Sequence, residues 1–308
     1  MPQISILCYH GIIDNSPYGF NSSGKHLNEN EFDKQMGFLA RNFEIVSMQN
    51  IENYFLGLES LPKKSVAITF DDGYANNLWN AHPILEKYGL SATIYLATEY
   101  INSRKIMWTD RLELALIQSQ ITEFEVLLDK IQHFDISNLT NKINALKTIK
   151  SYIKRANFKL NNIILDDIDQ KLEIDKNLII PSIHKFLEWD EVRFMNSSGV
   201  WGIGAHTENH YSLGTLNQHD GIKQITDSIL KVKTELRSDL LPLFSYPEGR
   251  DFDMPKYAIK FLRSIGLKSA PSANPGENYI TKFSKYKAMK LKRYLVGFEN
   301  LDFPWKML

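Results

Sequence analysis

The chain has 308 residues, 43% hydrophobic and 23% charged, with 36 basic residues balanced by 36 acidic ones. This length and composition suit one large α/β domain or two small ones, and the charge balance gives no global reason to expect a nucleic-acid or acidic partner. The one cysteine, Cys8, excludes an intrachain disulfide framework and, in an apolar run, reads as a buried inert thiol.

No apolar run is long enough to cross a bilayer, and Met1–Ile6 has neither a basic nor a long apolar leader region. A cytoplasmic location is therefore expected, with work at the inner membrane surface left open. In chain order, Gln3–Tyr9 predicts a core strand that delivers His10 and Gly11 at its end. An Asn-, Ser- and Gly-rich loop runs on to His26. Apolar residues at Phe32, Met36, Leu39 and Ala40 predict a helix over Glu29–Arg41, and Ser47 caps a second one. Val66–Phe70 is a short β-branched run behind the turn signal Leu61-Pro62-Lys63-Lys64. A helix over Ala75–Tyr88, closed by Gly89, and a strand over Ser91–Leu96 complete a parallel β–α–β unit.

Residues 101–186 break this rhythm. Leu112–Ile117, then Phe124, Leu127, Leu128 and Ile131, then Ile143, Leu146 and Ile149 recur at helical spacings, so about four helices are expected in one inserted subdomain. The alternation resumes with a helix at Trp189–Met195, a strand at Gly199–Ala205, a helix at His219–Arg237 and a strand at Leu241–Ser245. A helix at Pro255–Ile265 and short strands near Leu267–Ser269 and Leu291–Val296 follow.

Two strand ends carry the chemistry. Val66–Phe70 ends in Asp71-Asp72-Gly73-Tyr74. Carboxylates that close repel unless a cation or shared proton relieves them, which suits a metal site with one carboxylate as ligand and the other free for proton transfer. A solvated turn fits the same four residues. The second strand end is His206-Thr207-Glu208-Asn209-His210. Its histidines at i and i+4 reach one ion if the segment turns helically. Together the two signals give a two-His, one-Asp site with open positions for water and substrate.

Thr69–Tyr74, Gly204–His210 and Phe244-Ser245-Tyr246-Pro247-Glu248-Gly249 resemble the motifs of the polysaccharide deacetylase family, the NodB-like carbohydrate esterases. Tyr9-His10-Gly11 and Trp189–Met195 resemble its branch of poly-N-acetylglucosamine deacetylases. The likeness covers roughly residues 1–100 and 187–297, with the insertion largely outside it. It implies an α/β fold, a distorted (β/α)7 barrel, as a single catalytic domain over 1–308 with a helical insertion at about 101–186. It also implies one divalent metal, commonly zinc, with cobalt, nickel and manganese as alternatives.

Carried over residue by residue, Asp72, His206 and His210 would be the ligands and Asp71 the general base. The resemblance implies that the metal would supply Lewis-acid polarisation of the amide and that Asp71 would take a proton from the attacking water. The backbone N–H of Tyr74 would face the oxyanion, and acetate would leave. Tyr246 and Pro247 would line the substrate. The family's late Leu-x-His acid has no match, since no histidine follows His219. His10, at a strand end on the same expected face, is assigned that role, with a loop histidine as the alternative. Arg250 and Arg293 compete to orient the aspartate, and the context Met289–Tyr294 of Arg293 resembles the branch's late arginine segment. Trp108 either lines the sugar cleft or starts a helix packed on the barrel.

The expected substrate is an N-acetylated sugar in a glycan or its precursor. An O-acetyl esterase, a deformylase and a non-catalytic glycan-binding barrel are the alternatives. Lys282, Lys285, Lys287, Lys290, Lys292 and Arg293, interleaved with Phe283 and Tyr286, could attract a lipid-phosphate-linked sugar or an anionic membrane surface. A solvated loop fits them as well.

Overall fold

The β-branched runs pair in parallel and share one rim. The computed structural model describes residues 1–308 except 18, 176–179, 282, 285, 299–302, 306 and 307 and the side chains of 158 and 159. The first half opens with β1 (Gln3–Tyr9), β2 (Gly11–Ile13), β3 (His26–Asn28), α1 (Glu29–Asn42), β4 (Glu44–Ile45) and α2 (Met48–Leu56). It continues through β5 (Lys64–Phe70), a π-turn at Asn77–Ala81, α3 (His82–Tyr88) and β6 (Ala92–Leu96). The segment expected to be an insertion, 101–186, holds α4 (Trp108–Gln118), β7 (Glu123–Leu127), β8 (Ile131–Asp135), α5 (Leu139–Ile153) and α6 (Phe158–Lys171). After it come α7 (Trp189–Ser197), β9 (Trp201–Ala205), α8 (Gln218–Leu236), β10 (Leu243–Phe244), α9 (Lys256–Ser264), β11 (Asn278–Tyr279) and β12 (Tyr294–Leu295).

Six parallel strands in the order β12-β1-β5-β6-β9-β10 form a curled half-barrel, as the resemblance implied. Tyr9 lies beside Phe70, Leu96 beside Ala205, and Ala205 beside Phe244. The residues that follow these ends (His10, Asp71, His206 and Ser245) therefore meet at one rim, where parallel sheets present their ligand sites. Beneath the rim, the Phe70 ring packs on Tyr9 at 5.3 Å, Trp201 at 5.1 Å and Phe32 at 5.8 Å. Truncating such a buried ring to alanine costs about 3–5 kcal/mol.

Ser47 caps α2 through a reciprocal pair with Asn50, and Gly89 closes α3 at φ 63°. The stretch expected to be helical around Phe124–Ile131 is instead a β-hairpin. Phe124 and Val126 point inward while Glu125 and Leu127 face out, a two-residue period overlaid on apolar spacings that also fit a helix. Among the described residues, the segment 101–186 thus has three α-helices rather than the four expected. The strand expected near Leu267–Ser269 is irregular chain, followed by an isolated bridge from Pro271 to Leu291. No helix among the described residues is long and apolar enough to cross a membrane.

Candidate metal and catalytic centre

Asp71 continues the alternation of β5, so it shares a face with Thr69. Arg293, at the entry to β12, lies buried under that face and grips Asp71 with both arms, Nη1 to Oδ1 at 2.8 Å and Nη2 to Oδ2 at 2.7 Å. The same guanidinium donates to Thr69 Oγ1, Ser245 Oγ and the Ser272 carbonyl. Such a fork fixes both the position and the rotation of the carboxylate. Burial pushes the Asp71 carboxyl up, and the charge and hydrogen bonds of Arg293, together with His206 and His10, outweigh it and hold the group at about 2.

The next residue leaves the strand abruptly. Asp72 has φ 76°, in the left-handed region that L-residues enter at a cost of about 1–3 kcal/mol. Gly73 follows at φ 97°. This twist swings the Asp72 carboxylate to the same cleft as Asp71. Thr207 (φ 61°) and His210 (φ 57°) do the same for the histidines. The His206–His210 segment is therefore not a helical turn, as its spacing suggested. A left-handed kink, with Thr207 Oγ1 accepting from the His210 amide at 3.2 Å, brings the rings to 4.9 Å.

One candidate ligand atom from each of Asp72, His206 and His210 can be chosen so that all three lie within 4.8 Å of one another. His206 Nδ1 is 2.9 Å from the Ser245 carbonyl, which can only accept. The proton therefore sits on Nδ1, and Nε2 presents a lone pair to the cleft, the tautomer a metal ligand needs. Asp72 Oδ1 faces His210 Nε2 at 3.2 Å, and His210 Nδ1 is buried without a hydrogen-bond partner. An orphaned polar atom of this kind demands an explanation, and an oxygen and two imidazoles around one point suit a divalent ion. Burial raises the Asp72 carboxyl, but the charge and hydrogen bond of His210, with His10 and Lys25, together more than reverse this. Burial alone lowers His210, while Asp72 raises it above its usual value.

These groups open on a cleft of about 810 Å³, which Asp71, His10, Arg250 and Tyr246 also line. His10 is held near pKa 4 by burial, against the pull of Asp72 and Asp71, and its Nδ1 has no partner. Arg250 stands exposed at the mouth, away from the Asp71–Arg293 pair. Tyr246 is 1% exposed, while Pro247 is buried behind it and does not line the cleft. Trp108 starts α4 and lines a separate cavity of about 1140 Å³ with Tyr211 and Arg111, apart from the metal triad.

Tyr74 is fully buried. Its hydroxyl donates to Asp110 Oδ2 at 2.7 Å and accepts from Lys25 Nζ, which also contacts Asp110 Oδ1 at 2.6 Å. Burial works against the Lys25 ammonium, and Asp110 more than offsets it. Sequence reasoning missed Lys25 and Asp110, since a lysine in a polar loop carries no local sign that its partner lies 85 residues on. It also missed the pairing of Glu248 with Lys154, at 2.6 Å across the cleft. Of the basic segment, Lys282 and Lys285 fall outside the described residues. Phe283 and Tyr286 are exposed, Lys290 contacts Asp251 at 3.3 Å, and Arg293 belongs to the centre itself.

A family model described as polysaccharide deacetylase matches residues 59–270. YxkH of Bacillus subtilis, which carries the same family name, is 28% identical over 143 residues, 45% of this chain and 46% of that one. The matched segment thus spans about half the length of that curated relative. Among solved structures, the Streptococcus pyogenes deacetylase PplD in complex with acetate superposes with a TM-score of 0.61 at 17% identity, covering 98% of this chain and 96% of that one. IcaB from Ammonifex degensii gives 0.58 at 17% identity over 96% and 92% of the two chains. At such identities these structures show a shared fold.

Proposed function

This chain belongs to the polysaccharide deacetylase family, and from that premise we propose that it hydrolyses the N-acetyl group of an amino sugar in a glycan or glycan precursor. The observation that carries the reading is the convergence of Asp72, His206 and His210 on one point beside an Asp71 locked by Arg293. Asp72, His206 Nε2 and an imidazole nitrogen of His210 would hold a divalent ion, with zinc the proposed occupant because two imidazoles and a carboxylate suit it. Such an ion supplies Lewis-acid polarisation of the amide carbonyl and a more acidic water.

The chain's own residues do the rest. Asp71 stays ionised at neutral pH, because Arg293, His206 and His10 together outweigh burial. It is therefore free to take a proton from the attacking water. The guanidinium prevents the carboxylate from rotating away, so the accepting lone pair stays aimed at the cleft. The proton must then reach the departing amine. His10, lining the cleft with an unpartnered Nδ1, is placed to carry it, though burial keeps its imidazole neutral until a proton arrives. Tyr246 closes one wall with an unpartnered hydroxyl available to sugar oxygens.

The test pairs metal analysis with acetate release from N-acetylated sugars, for the wild type beside His206→Ala. About one metal per chain and acetate release, both lost in the variant, support the reading. Acetate release that survives without the metal would sink it.

A further inference from the structure

One wall of the cleft is cationic, and the insertion builds most of it. Lys150 comes from the last turn of α5, and Lys154 and Arg155 from the turn that follows. Lys25 and Arg250 complete the wall from two other loops. Two of these cations are neutralised: Lys25 meets Asp110 at 2.6 Å and Lys154 meets Glu248 at 2.6 Å. Among the described residues, Lys150, Arg155 and Arg250 have no carboxylate within ion-pair distance.

Lys150 is the informative one. Its ammonium is partly buried, and that burial, with Lys154 and Lys25 beside it, pulls its pKa down to about 8. Glu248 and Asp110 act in the opposite sense, but each is already engaged by another lysine. A desolvated cation among cations gains from any anion that enters. It is also reachable from a second side, because an adjoining cavity of about 380 Å³ shares Lys25, Lys150, Lys154 and Phe298. Three uncompensated cations facing a metal-competent triad are more than an acetamide on a neutral sugar requires.

We propose that this wall is an anion subsite, and that the substrate is an N-acetylated sugar carrying an anionic oxygen group, phosphate or carboxylate. The anion sits against Lys150, Arg155 and Arg250 while the acetamide faces Asp72, His206 and His210. This rests on the deacetylase reading for the chemistry, though not for the binding. Lys150 is then a specificity-determining residue supplied by the insertion, which gives that segment a direct part in substrate choice.

Calorimetric titration of the metal-loaded protein tests it with N-acetylglucosamine, its 1-phosphate and a carboxylate-bearing N-acetyl sugar. At least one anionic sugar should bind about tenfold more tightly than the neutral one, and the preference should shrink with added salt. Which anionic arm binds identifies the source of the charge. Lys150→Gln should abolish the preference and Lys150→Arg should retain it. Arg155→Gln, at an exposed position, should halve it or more and serves if the Lys150 variants do not fold. Equal binding of all three sugars, or a preference untouched by both glutamine variants, overturns the subsite. Acetate assays alongside separate the two ideas. Release from the neutral sugar with no anionic preference overturns the subsite alone, and an anionic preference without acetate from any sugar overturns the deacetylase reading alone.

Discussion

Asp72 and Asp110 are both buried aspartates beside cationic or basic groups, yet they are used in opposite ways. Asp110 spends both oxygens inside the protein, on the Lys25 ammonium and the Tyr74 hydroxyl, and so ties the insertion to the loop before β3. Asp72 turns Oδ1 toward His210 Nε2 at 3.2 Å, on a backbone twisted to φ 76° that aims it at the cleft and the other candidate ligand. A buried network that closes on itself holds structure together, whereas a carboxylate and two imidazoles gathered at strand ends suit a divalent ion. Charge, burial and residue type are alike, and only what the carboxylate faces separates brace from site.

The contrast breaks most sharply at His206. Alanine there should remove bound metal and cut acetate release by at least about 10³-fold, while the melting temperature of the metal-free protein changes little. Arg293→Met comes next. It strands a buried carboxylate, so stability should fall by about 3–5 kcal/mol. With the lowering charge gone and burial still pushing upward, Asp71 should protonate at higher pH. The acid limb of the rate profile should therefore move up from its wild-type position, with metal stoichiometry kept. An unmoved acid limb would remove Asp71 from the base role.

Asp110→Asn sharpens the other half of the comparison. Lys25 then loses its counter-ion in a buried place, and a loss of about 2–4 kcal/mol in thermal unfolding is expected with metal content unaltered. Metal loss in that variant would mean that the brace is part of the centre. A smaller effect concerns Lys150, which is charged below about pH 8 and faces Lys154, Lys25, Glu248 and Asp110. Binding of an anionic sugar should weaken as pH rises through that value, and a flat titration from pH 7 to about 9 would remove Lys150 from the subsite. The smallest is His133→Ala on the hairpin, where both partners of the Glu125 contact are exposed. It should change stability by no more than about 0.5 kcal/mol.

Much of the barrel was legible because parallel strands, buried on both faces, write themselves as continuous apolar runs such as Ile4–Tyr9 and Val66–Phe70. The positions of Asp71, Asp72, His206 and His210 were legible for the related reason that each follows such a run. The route by which they converge was not. Left-handed backbone at Asp72, Thr207 and His210 leaves no mark in residue type, and the histidine spacing pointed to a helix instead. The Phe124–Ile131 hairpin was misread because short apolar runs suit both periods, and only pairing to Phe134 and His133 decides between them. Lys25 and Lys150 were illegible for want of any local pattern, and Glu248 lay in a legible motif whose pairing to the distant Lys154 was not legible.

The clasp of Arg293 on Asp71 joins positions 222 residues apart, whereas the three candidate ligands all lie within the first 210 residues of the chain. During synthesis, the segments that would hold the ion emerge long before the strand that steadies the base. Contacts of such sequence separation form late, after most of the chain entropy has been lost. The candidate ligands can therefore come together before Asp71 gains its partner from the entry to β12. The last strand thus fixes the Asp71 carboxylate only once the chain has closed on itself at the barrel rim.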